Sequence, residues 1–358
     1  MVGVSEKIYT LGIIGYGGMA GNHRKQLEKK NVRVRLKGIF DIDEGRRATA
    51  IEQGYIAYES VDALLADEEL DIVLVATPND SHKQLALRVL DAGKHLLCEK
   101  PVTMSSDDLI EIMEKAREKK LIFTVDQNRR VNRDFITMCR AIEDGLIGKP
   151  YVIESRVEGS RGMPEGWRTS KAQGGGMLYD WGVHLIDQIM YFCKEKVTEV
   201  YCKMFSVNYS EVDDSFRLTM TMESGLVAHI EVSTNNFIKH PRFYVLGTKG
   251  TMVIDEWIGT GKVVKPLSHD NTWSVEIAAN EVGPSKTMAP RDPSTVEEIE
   301  LFEPQGIEDN LDPTYRQLVD AIEGASLKIL PEEALRVVRV MEAAFASAES
   351  GAAIKTNI

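Results

Sequence analysis

Cysteine is scarce in this chain. Its 358 residues include four, Cys98, Cys139, Cys193 and Cys202, none at metal-like spacing. All four lie within or beside apolar segments, as reduced buried thiols do, which argues against a disulfide framework or a thiolate metal site. No apolar run is long enough to span a bilayer. The first residues lead into a strand pattern without a separate signal-peptide core, so a cytoplasmic location is expected. Positive charge is in deficit: 43 Lys and Arg against 55 Asp and Glu leave a net charge of −12. Such a surface repels nucleic acid and anionic membranes, and neither is an expected partner. Internal repeats and low-complexity tracts are absent as well. What remains, 43% hydrophobic and 27% charged, is an ordinary globular composition in a chain long enough for two domains.

Up to about residue 127, strand-like and helix-like segments alternate. Apolar runs at 8–14, 34–40, 71–76, 95–98 and 121–125 are separated by helical patterns at 46–53, 61–66, 81–92 and 106–119, after a first helix ending near Lys30. Alternation of this kind predicts a doubly wound α/β domain with a parallel sheet. Beyond it the grammar changes. After a helix at 134–143, runs at 151–158, 197–207, 214–222, 226–234, 242–246 and 251–254 follow with few helices between them, which predicts an antiparallel or mixed sheet. Residues 259–312 are rich in proline and scattered polar residues and announce no element. Two helices, 314–323 and 332–350, close the chain.

The first strand runs into Gly15-Tyr16-Gly17-Gly18-Met19-Ala20, a Gly-x-Gly-x-x-Ala turn that opens a helix. In that context it is the dinucleotide fingerprint. Gly15 allows the tight turn, Gly17 the approach of a pyrophosphate and Ala20 close helix–strand packing, while the helix N-terminus offers amides to the anion. Asp41 closes the second strand, where a carboxylate meets the adenine-ribose hydroxyls and favours NAD. Arg46 and Arg47 stand nearby and could pair with a 2′-phosphate, so NADP is not excluded.

Ligands in such sheets gather at strand carboxyl ends. Two further strand ends carry polar residues: Thr77-Pro78-Asn79 with His82, and Glu99-Lys100-Pro101. A lysine there could donate to a substrate oxygen. The run Gly174-Gly175-Gly176 reads as a flexible, open lead into a helix on which Asp180 and His184, four apart, share a face. A carboxylate there could orient the imidazole for proton transfer. No third residue at helical or hairpin spacing completes a metal site around them.

In their order, these motifs resemble those of the Gfo/Idh/MocA oxidoreductases, a family that includes glucose–fructose oxidoreductase and inositol dehydrogenase. The resemblance continues through Asn128-Arg129-Arg130, Gly247-Thr248-Lys249-Gly250 and the last helix, and so covers nearly the whole chain. It implies an N-terminal Rossmann domain over residues 1–127. Residues 128–358 would form a substrate-binding α+β domain with a large, mainly antiparallel open sheet, and helix 332–350 would pack back toward the first domain.

The resemblance also implies roles. Lys100, Asp180 and His184 form the catalytic group; Gly15 to Ala20, Asp41, Thr77, Pro78, Asn79, His82, Glu99 and Lys100 hold the cofactor, NAD(P). The substrate would be a sugar, inositol or related polyol, contacted by Lys100, Asn128, Arg129, Trp167, Arg168, Asp180 and His184. Lys171 is a further candidate. The chain would assemble as a homodimer or homotetramer through the second sheet. Alternatives on the same fold are another reductase or a dihydrodiol dehydrogenase, and, from a different class, a non-catalytic dinucleotide-binding sensor. Trp257, His269 and Trp273 match no motif.

Overall fold

The computed structural model describes residues 7–28, 32–268, 278–280, 283–285, 291–307 and 312–358, so His269 and Trp273 lie outside the described residues. The first half contains β1 (Tyr9–Ile14), α1 (Gly18–Leu27), β2 (Val34–Phe40), α2 (Glu44–Glu52), β3 (Ile56–Ala57) and α3 (Val61–Leu65). It continues with β4 (Ile72–Val75), α4 (His82–Asp91), β5 (His95–Cys98), α5 (Ser106–Lys119) and β6 (Phe123–Val125). The helix boundaries follow local chemistry. α2 starts where Asp43 accepts from the Arg46 amide, and α5 where Ser105 accepts from the Asp108 amide, with acidic residues in its first turn and basic ones in its last.

All six strands are parallel, in the order β3-β2-β1-β4-β5-β6. Because β4 is buried throughout its length, its run of Ile, Val and Leu lacks alternation. The order reverses at β1, so a crevice opens outside the carboxyl ends of β1 and β4.

The second half adds α6 (Arg133–Glu143), β7 (Pro150–Glu158), α7 (Val183–Cys193), β8 (Val197–Phe205), β9 (Ser215–Met222) and β10 (Val227–Ser233). Then come β11 (Phe243–Gly247), β12 (Thr251–Ile254), β13 (Gly261–Pro266), β14 (Ala278–Asn280), β15 (Gly283–Ser285), β16 (Val296–Leu301), α8 (Asp312–Ile322), α9 (Pro331–Ser350) and β17 (Ile354–Lys355). Nine strands form one sheet, β16-β13-β12-β11-β7-β10-β9-β8-β17, in which only β7 and β10 pair in parallel. β13 and β16 are found in the stretch that announced nothing; they extend the sheet at one edge, where half-exposed alternation replaces a strong apolar signal. The open face of this sheet carries Glu154, Arg156, Arg217, His229 and Glu231.

The chain returns to its first domain after leaving it. Tyr315, Leu318 and Val319 of α8 share a core with Leu11, Ile13, Leu36 and Ile39 of β1 and β2. α9 lies between the halves, packed on β8, α7 and α5, and its Glu342 accepts from the Ser106 amide at 2.7 Å. Arg130 adds a buried clasp, reaching Asp187 of α7 at 2.6 Å and Glu333 of α9 at 2.6 Å. No helix among the described residues is long and apolar enough to cross a membrane.

Candidate active site

At the end of β1 the backbone turns at Gly15 with φ +91°, and a Cβ there would stand 2.6 Å from the Ala76 carbonyl oxygen. Only glycine fits. Gly17 and Gly18 differ, for a Cβ on Gly18 would meet nothing within 4 Å and one on Gly17 only the Arg46 guanidinium at 3.9 Å. Their bare backbone borders a cleft of about 370 Å³ shared with Tyr16, Arg46, Thr49 and Gln53. The α1 N-cap, Gly17, makes no side-chain capping bond, which leaves the first amides of the helix for an anion. Ala20 is buried against the sheet, and Met19 is partly exposed beside it. These residues fit the pyrophosphate of a dinucleotide.

Asp41 ties that loop to β2. Its Oδ2 accepts from the Tyr16 amide at 2.6 Å, its Oδ1 from the Asp43 amide at 2.8 Å, and the half-exposed Arg46 guanidinium stands 3.3 Å away. Arg47 is held elsewhere, donating to the Asp41 carbonyl at 2.6 Å.

Of the polar residues after β4 and β5, Thr77 and Pro78 remain partly open to the crevice. Asn79 is 3% exposed, and its amide donates to the Gly174 carbonyl at 2.7 Å across the two halves. His82 is fully buried, with ring nitrogens 2.9 Å from the Pro101 carbonyl and 2.8 Å from that of Thr77. Glu99 faces inward to His23 Nε2 at 2.9 Å and accepts from the Lys100 amide at 3.2 Å. Asn79, His82 and Glu99 each spend polar atoms on contacts inside the protein that brace these strand ends.

Lys100 leaves the end of β5 and crosses to the second half. Its Nζ donates to the Asp180 carbonyl at 2.7 Å and to Asp180 Oδ1 at 3.1 Å, while Arg168 Nε reaches Oδ2 at 3.2 Å. Burial pushes the Asp180 carboxyl up, but Lys100 and Arg168 outweigh it and hold it below its usual range. His184 is 4% exposed. Burial first, then the charges of Lys100 and Arg129, drive its pKa well below the usual histidine value, so the ring is neutral. Its Nδ1 is buried without a partner.

Two expectations change here. Asp180 turns to Lys100 and Arg168 and makes no hydrogen bond to His184. The reason is local: Leu178–Gly182 is a π-helix leading into α7, so four residues no longer place two side chains in register. The glycine run is also not an open lead. A Cβ on Gly174 would stand 2.5 Å from Met104 Sδ and 2.9 Å from Asn79 Cβ, and those on Gly175 and Gly176 would overlap the Arg168 backbone and the Asp213 carboxylate. Asp213 in turn accepts from the Leu178 amide at 2.8 Å, and burial raises its pKa to about 6.

The remaining candidates divide. Arg129 stacks on Trp181 with its guanidinium carbon 4.1 Å from the ring centre, and Trp167 carries Arg168 at 4.4 Å. Asn128 donates to Asp126 at 2.9 Å, and Lys171 is exposed. Sequence reasoning left Trp181, Trp257 and Arg242 without a place here. Trp257, on the β12–β13 turn, packs 5.8 Å from Trp181 and carries Arg242 at 4.5 Å. Arg242 lies 2.9 Å from the buried Asp134, and burial lowers its pKa to about 10. Their separation in sequence offered no signal.

His23, Glu99 and Asp126 also converge, with ligand-type atoms within 4.8 Å of one another. The 2.9 Å His23–Glu99 contact and the Tyr315 hydroxyl 2.7 Å from His23 Nδ1 are hydrogen-bond distances, and the group reads as proton-sharing. Burial raises the Asp126 pKa to about 7.

Known proteins show the same two-part arrangement. Residues 9–127 match the oxidoreductase family model described as an NAD-binding Rossmann fold, and residues 135–253 match the GFO/IDH/MocA C-terminal domain. An NAD-binding protein of Listeria innocua superposes with a TM-score of 0.92 at 41% identity, covering 98% of this chain and 100% of that one. A myo-inositol 2-dehydrogenase of Thermotoga maritima is 28% identical over 68% of this chain and 75% of its own length. A scyllo-inositol 2-dehydrogenase (NADP(+)) of Bacillus subtilis is 27% identical over 79% and 78%.

Proposed function

Because this chain belongs to the Gfo/Idh/MocA family of NAD-binding oxidoreductases, we propose that it is a dehydrogenase acting on a carbinol carbon of a sugar, inositol or related polyol. The observation that carries this reading is the Lys100–Asp180 contact. It brings a strand-end lysine of the Rossmann half to the carboxylate preceding a buried, neutral histidine. Gly15, Tyr16, Gly17, Gly18, Met19, Ala20, Asp41, Thr77, Pro78 and Lys100 would hold the dinucleotide, with Asn79, His82 and Glu99 shaping the same strand ends.

A dinucleotide held by these residues would supply the two-electron acceptor for the carbinol hydrogen and its C–H bonding pair. The protein handles the proton and the geometry. His184 accepts the hydroxyl proton as the C–O bond gains double-bond character, and Lys100 donates to the same oxygen. Asp180 fixes the Lys100 ammonium and orients Arg168. In the reverse direction His184 returns the proton. The dehydrogenase names of the Thermotoga and Bacillus relatives support a polyol substrate, and the mixed charges on the open sheet face support pairing of subunits there.

The test is reduction of NAD+ and NADP+ by the purified protein with a panel of inositols, aldoses and their acids. Turnover on at least one is expected. Tight NADH binding without turnover on any member would replace this reading with that of a dinucleotide sensor.

A further inference from the structure

Arg129 and Arg130 are neighbours with opposite surroundings. Arg130 is neutralised by Asp187 and Glu333. Arg129 has no carboxylate within 4 Å among the described residues, and its Nε is buried without an acceptor. It lies instead against two rings, its guanidinium carbon 4.1 Å from the centre of Trp181 and 5.6 Å from that of Trp257. Stacking steadies a guanidinium but leaves its in-plane donors unmatched. Burial disfavours its charge, and only Asp134 and Asp180 at longer range offset this.

The wider site has the same imbalance. Lys100 and Arg168 hold one carboxylate, Asp180, with Arg129 at longer range from it, beside a neutral His184. Both Asp180 oxygens are already engaged, at 3.1 and 3.2 Å, which is long for charge-assisted bonds. Arg242, on the far side of Trp257, has its own counter-charge in Asp134. The site is therefore rich in donors and short of acceptors. A hydroxyl of a neutral polyol brings acceptor lone pairs but also a donor and no charge, whereas an oxyanion brings acceptors alone together with the missing charge.

We infer that the substrate carries an oxyanion, a carboxylate or a phosphate, on a carbon away from the reacting carbinol, and that Arg129, braced by Trp181 and Trp257, binds it. The substrate class is then an acidic sugar, and the experiment's arms separate a sugar acid from a sugar phosphate. This rests on the dehydrogenase reading, and the experiment keeps the two apart. NAD+ reduction by the holoenzyme is measured on matched sets: glucose, gluconate, glucuronate and glucose 6-phosphate, with the galacto and manno series beside them. The NADH-loaded protein is titrated calorimetrically with the same compounds.

The acid of a set should exceed its neutral parent in kcat/KM by about tenfold or more. Arg129→Gln should collapse that ratio chiefly through KM, and Arg129→Lys, which keeps the charge but not the fork, should retain part of it. A phosphate member preferred over the carboxylates would assign the same subsite to a sugar phosphate. Turnover of neutral polyols with no preference for any anion overturns the inference and leaves the dehydrogenase reading intact. Anion binding without turnover does the reverse. Failure of every anion to bind the loaded protein overturns the inference outright, however the variants fold.

Discussion

The chain has two glycine-rich segments of similar appearance and opposite use. At 15–18 the glycines leave space: beyond Gly15, the backbone of Gly17 and Gly18 stands open beside a cleft. At 174–176 they remove it, because Met104, Asn79, the Arg168 backbone and the Asp213 carboxylate occupy every position a side chain would take. The first segment has the open backbone a cofactor needs and is built from neighbouring residues. The second seals one half of the molecule against the other and delivers Asp180 to Lys100. A glycine run signals close approach; only its surroundings say whether a ligand or the protein itself does the approaching.

The contrast can be broken most directly at Lys100. Lys100→Ala should lower kcat by about 10³-fold and weaken NADH binding by a far smaller factor, about tenfold or less. A matching loss of NADH affinity, by calorimetry, would mean that the two regions are not separable. Next in size, Gly176→Ala, at φ +105° and against Asp213, should lower unfolding stability by about 2 kcal/mol or more in denaturant titrations. In the first segment, NADH should bind about tenfold more tightly than NADPH because Asp41 faces the loop. The reverse order would hand that position to Arg46.

Smaller still, Gly18→Ala should shift stability by about 1 kcal/mol or less, since nothing lies within 4 Å. A large loss there would erase the contrast. The last effect sharpens the catalytic side. With its pKa depressed, His184 stays unprotonated as pH falls through the ordinary histidine range. The acid limb of kcat/KM should therefore lie below about pH 6.5, and a limb at or above that value would remove His184 as the base.

How legible each feature was follows from how local its physics is. The strands Val34–Phe40 and His95–Cys98 and the helix Ser106–Lys119 announce themselves, because period, caps and breakers sit inside each segment. β13 and β16 do not, since edge strands need little apolar surface. Nothing in Leu178–Gly182 distinguishes a π-turn from an α-turn, as the two differ in backbone register rather than residue type. The bracing roles of Asn79 and His82 depend on Gly174 and Pro101, which the chain supplies later.

The sequence by itself determined the two-part architecture, the cofactor loop and the identity of the family, because each rests on short-range patterns in a fixed order. Only the tertiary structure decided which acid meets which base. It paired Asp180 with Lys100 and Arg168, buried His184 into neutrality and left Arg129 against two tryptophans with no carboxylate within 4 Å among the described residues. Burial and charge pairing depend on distances across the fold, and partners such as Lys100 and Asp180, 80 positions apart, or Arg129 and Trp257, 128 apart, carry no local trace of them.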